Sequence, residues 1–313
     1  MATFPHNTST AGRRAIKLGA SLVFCCSSWL WRRLQRLAGK KLPGTCVVLY
    51  YHAVPSEQRA RFAHQMDLLV RYARPVKAEN RVPLEDGVHY AAVAFHDAFV
   101  SVCDNALPEL ARRGIPSTLF VPSGYLGRQQ GWIKDDRHSD YWEVVVDAAR
   151  LQSLDRELVS IGSHTVSHTD LAALSPGQAS EELDQSRTEL ESILGRQVSL
   201  FAFPYGRFNQ ELTNLSKQAG YQRVFTIRPE LAFSTAEEFV TGSCAVSPTD
   251  WGLEFRLKLL GAYQWLPWLY RVRGKIKASV SARRKQNQPN GDLRSSVEPT
   301  PGSDRALGRS RDH

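Results

Sequence analysis

The sequence predicts an α/β fold built on parallel strands, arranged either as a barrel or as an open sheet. Six short apolar runs follow residue 45, and most are continuously apolar, as in strands covered on both faces. Helical segments lie between these runs, and this alternation is typical of parallel βα units. A hydrophobic content of 42% in 313 residues is sufficient for a core of this size.

Local signals support each predicted element. The predicted strands are residues 46–51, 91–95, 117–122, 158–162, 198–203 and 223–227. Residues 61–72 and 106–113 are predicted helices because their apolar residues recur at helical spacing. The clearest helix begins after Ser175 as N-cap, has Pro176 at its first position and ends at Gly195.

Charge divides the chain into three parts. Residues 1–41 hold eight Lys/Arg and no acid, whereas residues 42–270 carry a net charge of −6. Residues 271–313 carry +7, are rich in Arg, Ser, Pro and Gly, and are predicted to be disordered. Nucleic-acid enzymes place basic charge around the working cleft, so basic ends on an acidic body argue against a nucleic-acid partner. They suit an anionic membrane surface or solvated tails.

The N-terminal part contains an apolar stretch at residues 18–31 between two basic clusters. Fourteen residues are fewer than the roughly 20 that a membrane-spanning helix needs. We predict an amphipathic helix that contacts a membrane surface, with Trp29 and Trp31 at the boundary. A helix packed on the domain and a cleaved signal peptide are the alternatives, although no small-x-small cleavage site follows the stretch.

Location is predicted from the same segment and from the cysteines. Five cysteines without paired spacing argue against a disulfide framework and a cysteine-built zinc site. We therefore expect the protein in the cytoplasm or at the cytoplasmic face of the membrane.

Polar motifs follow three of the predicted strands. His96 and Asp97 follow one strand, and His164 and His168 follow another. On a helical turn, a spacing of four residues places two imidazoles on one face, within reach of one ion. With Asp97 they form a two-His-one-carboxylate set, which suits zinc or another divalent metal.

The third motif, Pro204-Tyr205-Gly206, follows residues 198–203 and is predicted to form a tight turn. Alone, it is more typical of an ordinary connection between a strand and a helix. If the strands form a parallel barrel, the three motifs lie on its carboxyl-terminal rim, where active sites are found.

The ordered set of these motifs resembles the polysaccharide deacetylase family, the carbohydrate esterases related to nodulation protein B. The segments LYYHAV at 49–54 and LPELARRGIPSTLFVPSGYLG at 107–127 are also similar to that family. DWGLEFRLKLLGAYQWL at 250–266 is similar to a branch associated with exopolysaccharide synthesis. The resemblance covers roughly residues 45–270.

The resemblance implies a distorted (β/α) barrel and a divalent metal, expected to be zinc, with cobalt, manganese or nickel as alternatives. The metal ligands would be Asp97, His164 and His168. Metal-activated water would remove the acetyl group of an N-acetylated sugar, and the backbone N–H of Tyr205 would stabilise the oxyanion.

Two departures from the family pattern concern the base. The motif usually reads F-D-D, and its first aspartate is the general base, whereas His96 stands there in this chain. The arginine that orients this base is replaced by Ala202. His96 is expected to act as the base, to contact the metal or its water, or to have no catalytic part. No histidine between His168 and His313 is available for the late catalytic acid of the family.

Further residues are predicted to contact a glycan. His52 follows the first strand, and Pro204 shapes the third motif. Trp142, with Trp132 and Tyr141, lies in the long segment after residue 122, and aromatic faces stack on sugar rings.

The function predicted is metal-dependent deacetylation of an N-acetylated polysaccharide or its precursor. The alternative is a catalytically weak metal-binding relative that binds glycan or acts as a membrane-surface partner.

Overall fold

The computed structural model describes residues 11–269, and the tail predicted at residues 271–313 lies outside them. Nine strands join in one parallel sheet, in the order β8-β7-β6-β5-β4-β3-β1-β9, with β2 beside the start of β3. The strands are β1 Thr45–Tyr51, β2 Arg74–Pro75, β3 His89–Phe95, β4 Ser117–Val121, β5 Val159–Ser163, β6 Leu200–Ala202, β7 Arg223–Thr226, β8 Val240–Gly242 and β9 Cys244–Ala245. All six predicted strands are present, and β2, β8 and β9 are additions.

The sheet curls into a nearly closed barrel. β8 and β9 are the two end strands of the order, yet only Ser243 separates them in the chain. The two edges therefore approach each other at this point. The Ser243 hydroxyl donates to the carbonyl of Thr226 at the end of β7, which fixes the junction. This confirms the predicted barrel and excludes the open sheet.

Seven helices lie around the barrel within residues 11–264, and residues 265–269 are also helical. The seven are α1 Ala11–Leu37, α2 Arg59–Tyr72, α3 Leu107–Ala111, α4 Ala148–Ser153, α5 Pro176–Leu194, α6 Gln210–Gln218 and α7 Gly252–Leu259. A π-helical turn at Val102–Ala106 precedes α3, so the helix predicted at 106–113 begins earlier and changes type. The prediction for α5 is confirmed, because Ser175 and Gln178 form a capping box and Gly195 is left-handed.

Two apolar clusters cover the two faces of the strands. Alternate residues such as Val48, Tyr50 and Phe120 fill the barrel interior. Their neighbours, such as Leu49 and Leu119, pack under the surrounding helices. Burial on both faces explains why the strands read as continuous apolar runs.

Helix α1 is amphipathic and packs with one face on the barrel domain. Arg14 donates through Nε to Glu254 at 2.7 Å and stacks over the Trp251 ring at 4.5 Å. Farther along, Ser21 is fully buried and accepts a hydrogen bond from Nε1 of Trp265. None of the helices within residues 11–269 is long and apolar enough to cross a bilayer.

Candidate metal centre and active site

The carboxyl ends of the strands bring the predicted site residues together. His52 follows β1, His96 and Asp97 follow β3, His164 follows β5, and Pro204 comes two residues after β6. In a parallel barrel these ends lie on one rim, which explains how Asp97 and His168 meet although they are far apart in the sequence.

Asp97, His164 and His168 form a compact, buried group. One ligand atom from each lies within 4.8 Å of the others, and no second group of this kind occurs among residues 11–269. Asp97 Oδ1 is 3.1 Å from His168 Nε2 and 3.6 Å from His164 Nε2. Asp97 Oδ1 nevertheless has no aligned hydrogen-bond donor in the described part of the chain. A buried carboxylate oxygen without a hydrogen-bond partner, close to two imidazole nitrogens, fits a site for a divalent cation.

A hydrogen bond from His164 to the backbone orients its imidazole toward Asp97. Its Nδ1–H donates to the carbonyl of Ala202 at 2.7 Å, so its Nε2 carries the lone pair that faces Asp97. Metal-binding histidines are commonly oriented through the second ring nitrogen in this way. Burial lowers the pKa of His164 to about 3, which keeps the ring neutral. For Asp97, burial opposes ionisation, but the neighbouring His168, His52 and His164 hold its pKa below the ordinary range.

The segment between the two histidines is not helical. Thr165 and His168 have φ of 68° and 55°, in the left-handed region, so the prediction of a helical turn is wrong. A loop with two left-handed residues brings the two imidazoles together, and their ring centroids lie 5.0 Å apart. Left-handed backbone costs about 1 kcal/mol or more at a non-glycine residue and is concentrated at functional sites.

The same backbone strain recurs around the site. Six non-glycine residues among those described have positive φ, and five of them lie in the three motifs or directly next to one. They are Asp97, Ala98, Thr165, His168 and Tyr205.

His96 points into the top of the barrel rather than into solvent. It is 3% exposed and stacks on Tyr50, with ring centroids 4.3 Å apart. Its centroid lies 4.9 Å from that of His164, and its Nε2 has no hydrogen-bond partner within residues 11–269. Burial lowers the pKa of His96 well below its usual value, and the nearby His164 and His52 lower it further. The side chain is therefore a neutral imidazole with an available nitrogen.

Pro204, Tyr205 and Gly206 form a tight turn, in which Tyr205 is left-handed with φ 57° and ψ 3°. The Gly206 N–H donates to the carbonyl of Phe203 across this turn at 2.9 Å. The Tyr205 ring meets that of His168 edge-on at 5.0 Å. Gly206 is required, because a Cβ there would lie 2.1 Å from Ile227 Cγ1. The turn thus brings Tyr205 beside His168, one of the candidate metal ligands.

One tryptophan lies at the candidate metal centre, and another lies on the protein surface. Trp132 stacks on His168 with centroids 4.0 Å apart, whereas Trp142 is 73% exposed and meets Tyr141. His52 lies at the rim, half-buried, with its ring 5.7 Å from that of His96. The structure therefore brings Trp132 against the candidate metal ligands, while Trp142 lies on the loop surface.

Residues 85–224 match the model of a family described as polysaccharide deacetylase. The chain is 23% identical to YxkH of Bacillus subtilis (strain 168) over 247 residues, which are 74% of this chain and 78% of YxkH. It is 36% identical over 120 residues to the peptidoglycan-N-acetylmuramic acid deacetylase PdaA of the same organism, covering 38% of this chain and 39% of PdaA.

Among solved structures, IcaB from Ammonifex degensii superposes with a TM-score of 0.56 and 26% sequence identity. The alignment covers 70% of this chain and 100% of IcaB. The likeness therefore extends over the barrel and beyond the segment that the family model matches.

Proposed function

Residues 85–224 belong to the polysaccharide deacetylase family, and on that premise we propose that the chain removes acetyl groups from N-acetylated sugars with the help of a divalent metal ion. The family consists of hydrolases that act on carbon–nitrogen bonds other than peptide bonds. The observation that carries the proposal is the convergence of Asp97 Oδ1 with the Nε2 atoms of His164 and His168. The segment at residues 250–266 favours a substrate from exopolysaccharide synthesis or its precursor.

Two imidazole nitrogens and one carboxylate suit Zn²⁺, and Co²⁺, Mn²⁺ or Ni²⁺ also accept this ligand set. When bound, such an ion supplies Lewis-acid polarisation of the acetyl carbonyl and lowers the pKa of water.

The residues of the chain supply the remaining parts of the reaction. In this proposal, the neutral imidazole of His96 accepts the proton of the attacking water. The N–H of Tyr205 donates to the oxygen that becomes negative in the tetrahedral transition state. Pro204 fixes the turn that presents this N–H, and His52 and Trp142 contact the sugar chain from the rim.

The test is acetate release by metal-loaded protein from N-acetylglucosamine oligomers, poly-N-acetylglucosamine and peptidoglycan. We expect release that stops when a chelator is added and is lost in Asp97→Ala. Asp135→Ala, which removes an exposed carboxylate in a loop, is the matched control. The proposal would be overturned if the metal-loaded protein released no acetate from any of the three glycans.

A catalytically weak, glycan-binding relative is the second candidate. His96 replaces the usual base, and Ala202 replaces the arginine that orients it. Metal binding together with glycan affinity, but without acetate release, would favour this candidate.

We also propose that the exposed face of α1 contacts an anionic membrane surface at the cytoplasmic side. Ile16, Val23, Leu30 and Leu37 recur every seven residues on the side away from α7 and are 53–79% exposed. Trp29 and Trp31 beside them are also mostly exposed. A second copy of this all-cationic segment would repel the first, whereas anionic headgroups complement it.

Flotation with phosphatidylcholine vesicles, with and without phosphatidylglycerol, tests this contact. We expect binding only when phosphatidylglycerol is present, and weaker binding at high salt. Val23→Asp combined with Leu30→Asp should abolish it, whereas Val82→Asp, at an apolar residue 71% exposed elsewhere, should not. Binding that is equal for all variants, or a dimer of the wild-type protein in sedimentation, would refute the proposal.

A further inference from the structure

The loop that carries His164 and His168 is held by a carboxylate outside the candidate centre. Glu182, in the first half of α5, accepts the N–H groups of Val166 and Ser167 through Oε2, at 2.8 and 3.0 Å. Its Oε1 accepts the hydroxyl of Ser167 at 2.7 Å. One side chain therefore binds three donors that lie between the two histidines.

The backbone conformation makes this arrangement specific for an anion. Thr165 is left-handed, and the two successive N–H groups that follow it point to the same side of the loop. Successive N–H groups next to a left-handed residue form a concavity that binds anions. Hydrogen bonds to an ionised carboxylate are about twice as strong as neutral ones. Glu182 thus stabilises a backbone that is otherwise strained.

The opposite side of the loop is held by β4 and the turn after it. The N–H groups of Ser123 and Gly124 donate to the carbonyls of Thr165 and Val166 at 3.1 and 3.0 Å. A Cβ at Gly124 would approach the carbonyl oxygen of Val166 to 2.8 Å, so the loop is packed directly against this backbone. The loop is therefore clamped between the β4 turn and Glu182.

Helix α5 is a rigid support for the carboxylate. Its capping box and left-handed C-cap define both ends, and Ala179, Leu183 and Ser186 bury its inner face. The position of Glu182 is consequently set by the fold rather than by the loop that it holds.

We propose that Glu182 is a positioning residue that sets the metal affinity of the centre by fixing the backbone between His164 and His168. This inference rests on the proposed metal centre, but it concerns binding and does not require turnover. Groups that support metal ligands typically change metal affinity by roughly 10- to 100-fold when they are removed.

The experiment measures Zn²⁺ and Co²⁺ affinity of the full chain by competition with a chromogenic chelator. We expect Glu182→Ala to weaken affinity at least tenfold, and Glu182→Gln, which can still accept the two N–H groups, to weaken it less. Glu181→Ala, at the adjacent exposed position, should stay within twofold of wild type. Amide exchange at Val166 and Ser167 should accelerate in Glu182→Ala and not in Glu181→Ala.

The outcomes separate the two proposals. If wild type binds neither ion, the proposed metal centre fails. If wild type binds and Glu182→Ala binds within twofold of it, only the role of Glu182 is overturned. If Glu182→Ala does not fold, Glu182→Gln decides: a loss of affinity with faster exchange at Val166 supports the role, and unchanged values overturn it.

Discussion

His96 shows how one residue can change the chemistry expected of a site. It occupies the strand-end position beside Asp97, but it stacks on Tyr50 inside the barrel. A neutral imidazole needs no arginine to compensate a charge, and the contact of residue 202 with His164 is made by the backbone carbonyl, which does not depend on the side chain. A neutral His96 and an oriented His164 are thus both compatible with alanine at residue 202.

Replacement of His96 should separate catalysis from metal binding. His96→Ala should lower kcat by at least about 100-fold, the usual contribution of a general base. Zn²⁺ affinity should stay within twofold of wild type, because His96 lies outside the three-ligand group. Acetate release and chelator competition measure the two quantities.

The controls for His96 address fold and specificity. His96→Phe retains a ring beside Tyr50 and should lose activity in the same way. His64→Ala, at an exposed histidine on α2, should behave as wild type. Unchanged turnover in His96→Ala would exclude the role as base.

Trp132 should report metal binding directly. Its ring stacks on His168 at 4.0 Å, so a paramagnetic ion held by His168 should quench its fluorescence. We expect Co²⁺ to reduce the emission of the wild-type protein and to reduce that of Trp132→Leu much less. Trp142→Leu, which removes an exposed tryptophan, should keep the wild-type response. Equal quenching in all three proteins would contradict the stacking.

At the scale of elements, the sequence predicts six of the nine strands within residues 11–269 and misses three short ones. β2 and β9 contain two residues each, too few for a periodic signal. The ligand residues are predictable because each follows a strand, but the path between His164 and His168 is not. Thr165 is β-branched, and such residues give no signal for left-handed backbone. Glu182 could not be found either, because it lies on the next helix and meets the loop only in the folded barrel.

Helix α1 depends on a small cluster of charges for its attachment. Arg14 approaches both Glu254 and Asp250, whose side chains are nearly buried, although Arg14 itself is 27% exposed. We expect Arg14→Ala to lower the free energy of unfolding by about 1–2 kcal/mol, through the lost charged hydrogen bond. Lys258 still pairs with both acids and limits the loss. Urea unfolding measures the change.

Arg13→Ala is the matched control for Arg14, because it removes an exposed arginine from the same turn. It should change stability by less than about 0.5 kcal/mol. If the two variants unfold alike, α1 is not anchored by this pair.

For the whole molecule, buried histidines link stability to pH. Burial lowers the pKa values of His96, His164 and His89, and that of His164 falls to about 3. The unfolded chain binds a proton at each near pH 6.5, whereas the folded metal-free protein does not. Stability therefore falls as pH decreases from 6.5 towards the folded pKa values, by up to about 1.4 kcal/mol per pH unit for each histidine.

His89 allows the effect of a buried histidine on stability to be measured at a position away from the candidate metal ligands. One of its ring nitrogens pairs with the Thr45 hydroxyl and the other with the Leu259 carbonyl, both at 2.8 Å. His89→Gln retains polar groups but cannot be protonated, so the stability of this variant should fall less steeply below pH 6.5 than that of wild type. Buried Asp250 and Glu143, whose pKa values burial raises, titrate in the opposite sense in both proteins and cancel in the comparison. Urea unfolding of the metal-free proteins between pH 7.5 and 5, with His64→Gln as control, gives the slopes. A slope for His89→Gln equal to that of wild type would show that His89 is protonated in the folded protein as readily as in the unfolded chain.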